Sequence, residues 1–206
     1  MENRNAPTIA EIEFGTDLGG GELSPLHQIC PKKEGETLRI ALLTQFCKPK
    51  ATYYHWHRNR FYRCNTEKDG PIAPCCEIRR GWTCVCLAVA YLGTDPDGKL
   101  RKGPDIRYRV GYVSLSENAF RQVKVCVRKA RGCDLYYSMT EGYYSFSRAR
   151  RAPAWKLSPQ AAKVEAEAVR WADGEKLREK LGRVLTNPEW VRLLKTGSIY
   201  EIEELD

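Results

Sequence analysis

From Thr37 onward the apolar positions recur with a period of two, and the pattern predicts strands. Leu38-Arg39-Ile40-Ala41-Leu42-Leu43 is the first. Gly81 to Leu92, rich in Val, Cys, Trp and Leu, is nearly continuous in its apolar character, as a centrally buried strand is. Asp95-Pro96-Asp97-Gly98 predicts a turn, because Pro presets φ and Gly accepts a positive φ. Asp105 to Val113 alternates, with Ile106, Tyr108, Val110 and Tyr112 on one face. Ser116 then predicts an N-cap, and Phe120, Val123 and Val127 follow helical spacing to about Lys129. Cys133 to Ser138 and Tyr143 to Arg148 are two more expected strands, joined as a hairpin by Thr140-Glu141-Gly142.

After Pro153 the period changes to that of helices. Ser158-Pro159 caps a first helix lined by Val164, Ala168 and Trp171, and Glu175 to Leu185 predicts a second. Asn187-Pro188 opens a third, with Trp190, Val191 and Leu194 apolar and Gly197 past its end.

Five or so short strands with one interposed helix predict a mainly β fold with some α, a small barrel of the five-stranded OB kind, which periodicity alone does not separate from another small barrel. An inserted cysteine-rich subdomain over about 47–77 and a helical C-terminal region complete it. The expected division is a flexible acidic tail over 1–36, a core over 37–156, and a helical region with a short acidic tail over 157–206. The polar, acidic start lacks the pattern of a targeting signal, and the longest apolar run, Val85 to Leu92, is too short to span a bilayer. The expectation is a cytoplasmic protein with no membrane association.

Charge sharpens the division. The net charge of +8 conceals a core that carries 23 basic and 9 acidic side chains, while both flanking segments are net negative. A core so basic attracts polyanions, nucleic acid above all.

The chain has nine cysteines, an odd number that with no secretory leader argues against a disulfide framework. Reduced thiols then read as metal ligands or as small buried hydrophobes. Two of the three histidines and three cysteines fall within the segment from His55 to Cys76. Zinc prefers four thiolate or imidazole ligands in a tetrahedron, and His55, Cys64, Cys75 and Cys76 supply them. Adjacent cysteines have diverging Cβ vectors, so Cys47 and His57 stand as alternates for one of that pair. Cys84, Cys86, Cys126, Cys133 and Cys30 read as core. Glu67 and Glu77 are the nearest carboxylates, but no His-x-Glu or His-Glu-x-x-His arrangement occurs, which favours a structural over a catalytic zinc.

Two stretches interleave rings with cations. The first holds Tyr53, Trp56, Arg58, Arg60, Phe61, Tyr62 and Arg63. The second holds Tyr136, Tyr137, Tyr143, Tyr144 and Phe146 beside Arg148, Arg150 and Arg151. Bases of single strands stack on aromatic rings while Lys and Arg follow the phosphates, chemistry that tolerates any sequence. Strands alternate, so half of these rings point inward.

This order of motifs resembles phage-type single-stranded DNA-binding proteins with a zinc-containing OB fold. His55-Trp56 precedes a basic strand ending in Cys64, then Pro74-Cys75-Cys76 and an apolar strand. The Tyr-rich strand, whose Tyr108 and Tyr112 join the residues expected to bind nucleic acid, the helix from Glu117, and Arg131-Gly132-Cys133-Asp134-Leu135 follow in family order. The resemblance implies a non-enzymatic helix-destabilising protein that coats and protects single-stranded DNA in replication, recombination or repair, with the choice between DNA and RNA left open. It implies a bacterial or phage-infected cytoplasm and replication or transcription partners held by the C-terminal region. The alternatives are a zinc-containing nucleic-acid-binding adaptor and a zinc-dependent nuclease.

Overall fold

The computed structural model describes residues 26–58, 60–65, 75, 78–93, 107–127, 133–149, 153–182 and 184–199. The strands are β1 (Thr37–Leu42), β2 (Lys50–His57), β3 (Arg60–Arg63), β4 (Arg80–Leu92) and β5 (Arg107–Ser116). Helix α1 (Glu117–Val127) leads to β6 (Leu135–Thr140) and β7 (Tyr143–Arg148). A single 3-10 turn (Ala154–Leu157) precedes α2 (Ala161–Arg170), α3 (Gly174–Glu179) and α4 (Asn187–Thr196).

The expected mainly β character holds: seven strands form one antiparallel sheet with helices against it. β4 is its axis. It pairs with β5 from Thr83 to Leu92 on one edge, and on the other with β2 from Arg80 to Val85 and with β1 from Ala88 to Ala90. Every β4 residue from Cys84 to Tyr91 is buried, so both faces of the strand are covered. Cys84, Cys86, Ala88 and Ala90 join a cluster with Ala119 and Val123 of α1, together with Leu135, Tyr137 and Phe146. Val85, Leu87, Val89 and Tyr91 join a second cluster with Trp155, Val164, Ala168 and Leu177 of the C-terminal segments. Of the thiols expected in the core, Cys84, Cys86 and Cys133 are buried there, while Cys30 and Cys126 are half-buried at its edge.

Local chemistry explains the ends of the elements. The Ser116 hydroxyl accepts from the Ala119 amide at 3.3 Å, the cap expected for α1. The β6–β7 loop, Glu141 (φ 49°) and Gly142 (φ 77°), has the two positive φ values of a tight type I′ turn. Helix α3 is shorter than its apolar pattern suggests, because Gly182 (φ 89°) turns the chain into the left-handed region before Leu185. Helix α4 begins with a Thr186–Glu189 capping box and ends at Gly197 (φ 80°). Its buried face is Trp190 and Leu193, with Val191 exposed. The end of the expected N-terminal tail is also tied down. The amide of Ile29 donates to Tyr112 at 2.7 Å, and that of Tyr112 to His27 at 3.0 Å, with Leu26 and Ile29 buried. The Asp95–Gly98 turn lies outside the described residues.

One buried polar network ties four segments together. Arg39 of β1 reaches Asp134 through Nε at 2.9 Å and Nη2 at 2.8 Å. The Tyr91 hydroxyl donates to the same carboxylate, and the Ala154 amide reaches it at 3.2 Å. The Trp155 amide in turn donates to the Tyr91 hydroxyl at 3.3 Å. Burial pushes the Asp134 carboxyl above the usual carboxylate range, against the opposing pull of Tyr91, Arg39 and Ala154. Removing the carboxylate as Asp134→Ala leaves the Arg39 guanidinium without its partner and should cost about 3–5 kcal/mol in urea denaturation. The folded state holds this proton more tightly than the unfolded chain, so the associated stability is full below the unfolded pKa and fades as pH rises through the folded value. Moving from neutral to mildly acidic pH should therefore favour the native protein relative to Asp134→Asn.

Candidate metal centre and aromatic face

The β2–β3 hairpin has two unlike faces, set by its register. His55 lies opposite Tyr62, Trp56 opposite Phe61, and Tyr54 opposite Arg63. The Cys64 amide extends the ladder by donating to the Tyr53 carbonyl at 2.8 Å. Cys64 thus falls two residues beyond Tyr62, on the face that carries His55.

On that face His55, Cys64 and Cys75 come together. All three are buried, and their ligand atoms lie within 4.8 Å of one another, close enough to hold a metal ion. The two Sγ atoms are 3.8 Å apart. The His55 Nδ1–H donates to the Ile78 carbonyl at 3.0 Å, which leaves the lone pair on Nε2. That Nε2 is buried with no hydrogen-bond partner among the described residues. The Ile78 amide donates to the Cys75 carbonyl at 3.2 Å, so one turn positions both the third ligand and the acceptor that orients the first. Burial lowers the His55 pKa, with the Arg80 charge adding to it against the Ile78 and Arg79 carbonyls. The imidazole is kept neutral, as ligation requires.

Helix α4 covers the group. Trp190, fully buried, meets the His55 ring edge-on at 5.5 Å and the Tyr62 ring at 5.5 Å. Cys64, Cys75, Leu185, Trp190 and Leu193 form one apolar cluster. Asn65 joins the two sides: its Nδ2 donates to the Leu185 carbonyl at 3.0 Å and to Asn187 Oδ1 at 2.8 Å, while its Oδ1 accepts from Cys75 Sγ at 3.1 Å. Arg58 packs against Gly197 at the C-terminal end of α4, where a cation complements the helix dipole.

The alternates separate. Cys47 is buried with Leu43, Val85 and Leu87 in the second core cluster, away from the group. His57 shares the His55 face but stands outside the group among the described residues. Cys76, Glu67 and Glu77 lie outside the described residues.

The opposite face is aromatic and open. Trp56 (49% exposed) and Phe61 (67% exposed) meet edge-to-face at 4.3 Å, and Tyr54 lies 4.9 Å from Phe61. The ring of Tyr54 crosses β4 where Gly81 stands; a Cβ there would lie 2.5 Å from a ring carbon. Beside these rings is a cleft of about 580 Å³ bounded by Tyr54, Trp56, Arg79, Arg80, Gly81 and Trp82 and by the start of α1.

The other residues expected to bind nucleic acid divide by burial. Tyr53 is exposed and carries the Arg80 guanidinium over its ring at 4.1 Å. Arg60, Tyr144 and Arg148 are exposed, and Arg63 is half-buried. Tyr62 is half-buried beneath Trp190. Tyr108 and Tyr112 are half-buried in the second core cluster, Tyr108 against Tyr91 at 5.2 Å. Tyr137, expected as a stacking ring, is instead 2% exposed and parallel to Phe146 at 4.3 Å, because its pleat faces the α1 side of the core. Arg150 and Arg151 lie outside the described residues. Tyr54, Arg79, Arg80 and Trp82 were not expected at the site. The alternation of Tyr54 with Trp56, and the dibasic pair just before Gly81-Trp82, are the signals that point to them.

No family model, curated protein or solved structure matches the chain. No described helix is long and apolar enough to cross a membrane.

Truncating Trp190 to Ala should destabilise the protein by about 3–5 kcal/mol. Trp190→Phe, which keeps a ring over His55, should recover part of that loss. Equal losses for the two variants in urea denaturation would show that the ring does not support His55.

Proposed function

We propose that this chain is a non-enzymatic single-stranded nucleic-acid-binding protein whose stacking surface is held by a structural zinc. The observation that carries the reading is the two-faced hairpin. One face is clamped beneath Trp190 by His55, Cys64 and Cys75, and the other presents Trp56 and Phe61 in mutual contact and open to solvent. Exposed rings in contact, with Arg79 and Arg80 lining the cleft beside them, supply what single strands need: π-faces for bases and cations for phosphates. Helix-in-groove readout of a duplex needs a protruding helix, and α1 instead packs on β7 and the core.

Strand order supports an OB-type reading. β1 pairs with both β4 and β6, β4 with β5, and β6 with β7, with α1 between β5 and β6. On this reading β1 and β4 to β7 are the five OB strands. The β2–β3 hairpin is an insertion between the first and second, one of the places where OB folds bind oligonucleotides.

Zinc fits the donor set. Two thiolates on a tetrahedral ion with bonds of about 2.3 Å stand about 3.8 Å apart, and the sulfur atoms here are 3.8 Å apart. A neutral imidazole fixed through its other nitrogen to a carbonyl is the usual supported histidine ligand. Cys76 is the proposed fourth ligand. Bound zinc would tie the hairpin to the turn at Cys75 and add folding free energy.

Fluorescence anisotropy with a labelled mixed-sequence oligonucleotide over a salt series tests the binding. Affinity should fall steeply with salt, and duplex of the same sequence should bind more weakly. Trp56→Ala and Phe61→Ala should each cost about 1–3 kcal/mol of affinity, whereas Tyr143→Ala should cost less. Equal affinity for duplex and single strand sinks the reading. Metal analysis should find one zinc per chain, lost in Cys64→Ala together with stability and retained in Cys84→Ala. A zinc-free, equally stable native protein would reject the structural metal.

A further inference from the structure

The cleft beside the aromatic face is polarised along its length. The strand register sets Arg79 and Arg80 of its lining toward one end, and Glu117 and Asn118, at the start of α1, toward the other. The register sets their separation. Arg80 pairs with His55 while Thr83 pairs with Ser116, so the backbones that carry the two ends are about 10 Å apart along β4 at roughly 3.3 Å per residue. Trp56 and Trp82 also line the cleft, and Trp82 is backed by Phe120 at 5.2 Å. Its volume of about 580 Å³ is within the usual range for small-molecule sites.

Guanidinium charge at one end and a carboxylate at the other orient a nucleotide. Phosphate is drawn toward Arg79 and Arg80 and repelled from Glu117, which directs the base edge to the start of α1. Glu117 bonds Arg121 through Oε1 at 2.6 Å, and its second oxygen remains an acceptor. An ionised carboxylate only accepts. It therefore pairs with the exocyclic amino groups of cytosine, adenine or guanine. Thymine and uracil present two carbonyls around a single N–H, and those carbonyls would face the carboxylate unfavourably. Asn118, donor and acceptor at once, complements the rest of an amino-bearing edge.

We infer that this cleft is a base-selective pocket that takes one unstacked amino-bearing base and disfavours thymine and uracil. The inference rests on the nucleic-acid reading above and adds selectivity at a single position to an otherwise sequence-tolerant surface.

The test uses the full chain and two labelled oligonucleotides of equal length, all-dT and dT with one central dC. The native protein should bind the dC-bearing strand about ten-fold more tightly, the discrimination of one good base contact. Glu117→Gln should erase that preference by bringing all-dT binding up toward that of the dC-bearing strand, and Trp56→Ala should weaken both. Equal affinity of the native protein for the two strands overturns the pocket, as does a preference that survives Glu117→Gln. If neither strand binds at low salt, the nucleic-acid reading itself fails, and the pocket with it.

Discussion

Burial of β4 on both faces is the constraint on which the rest of the structure depends. A strand apolar on alternate faces needs two covers, and its eight buried residues from Cys84 to Tyr91 receive them from different parts of the chain. Helix α1, β6 and β7 cover one side, and the segments from Trp155 to Leu177 cover the other. The C-terminal segments thus complete the core. The Asp134 network enforces this by linking β1, β4, the start of β6 and the Ala154–Trp155 turn within one set of hydrogen bonds.

The first part of β4 serves a different purpose. From Arg80 to Val85 it gives its edge to β2, and through β2 it carries the β2–β3 hairpin. β3 has four residues, and a two-stranded hairpin of that size is marginal in water. Its stability must come from one face, because the other is open. Trp190 packs on His55 and Tyr62, Arg58 packs on the end of α4, and Asn65 joins Cys75 to Leu185 and Asn187. These contacts hold the hairpin while leaving Trp56 and Phe61 uncovered.

Much of this was legible in the chain. The continuous run at β4 could only be a two-sided core strand. Ser116, the Glu141-Gly142 turn and Gly197 carry chemistry that acts locally, so they punctuate the structure where the sequence places them. The trio of His55, Cys64 and Cys75 was legible because imidazole and thiol are scarce and clustered. The faces of the aromatic strands were not legible. A period of two divides Tyr62 from Phe61 and Tyr137 from Tyr136 but does not say which member meets the core. That choice is made by long-range partners: Trp190 claims the Tyr62 side, and α1 with Phe146 claims Tyr137. The pairing of residues 27–29 with β5 was illegible for the same reason, since backbone bonds to an edge strand leave little trace in side-chain pattern.

A division of labour between faces also explains why a group close enough to hold a metal ion suits this position. An apolar core large enough to fix the hairpin would need more residues than β3 and its turn can supply, and would draw the exposed rings inward. Buried polar ligands offset that shortage only when every donor is satisfied. The Nε2 of His55, buried and without a hydrogen-bond partner, is the one atom of the trio whose need the described protein atoms leave unmet. An ion bound there would satisfy that nitrogen and cross-link β2, the end of β3 and the turn before β4 through three short bonds. It would do so without occupying the open face, so rigidity and ring exposure need not compete for the same residues.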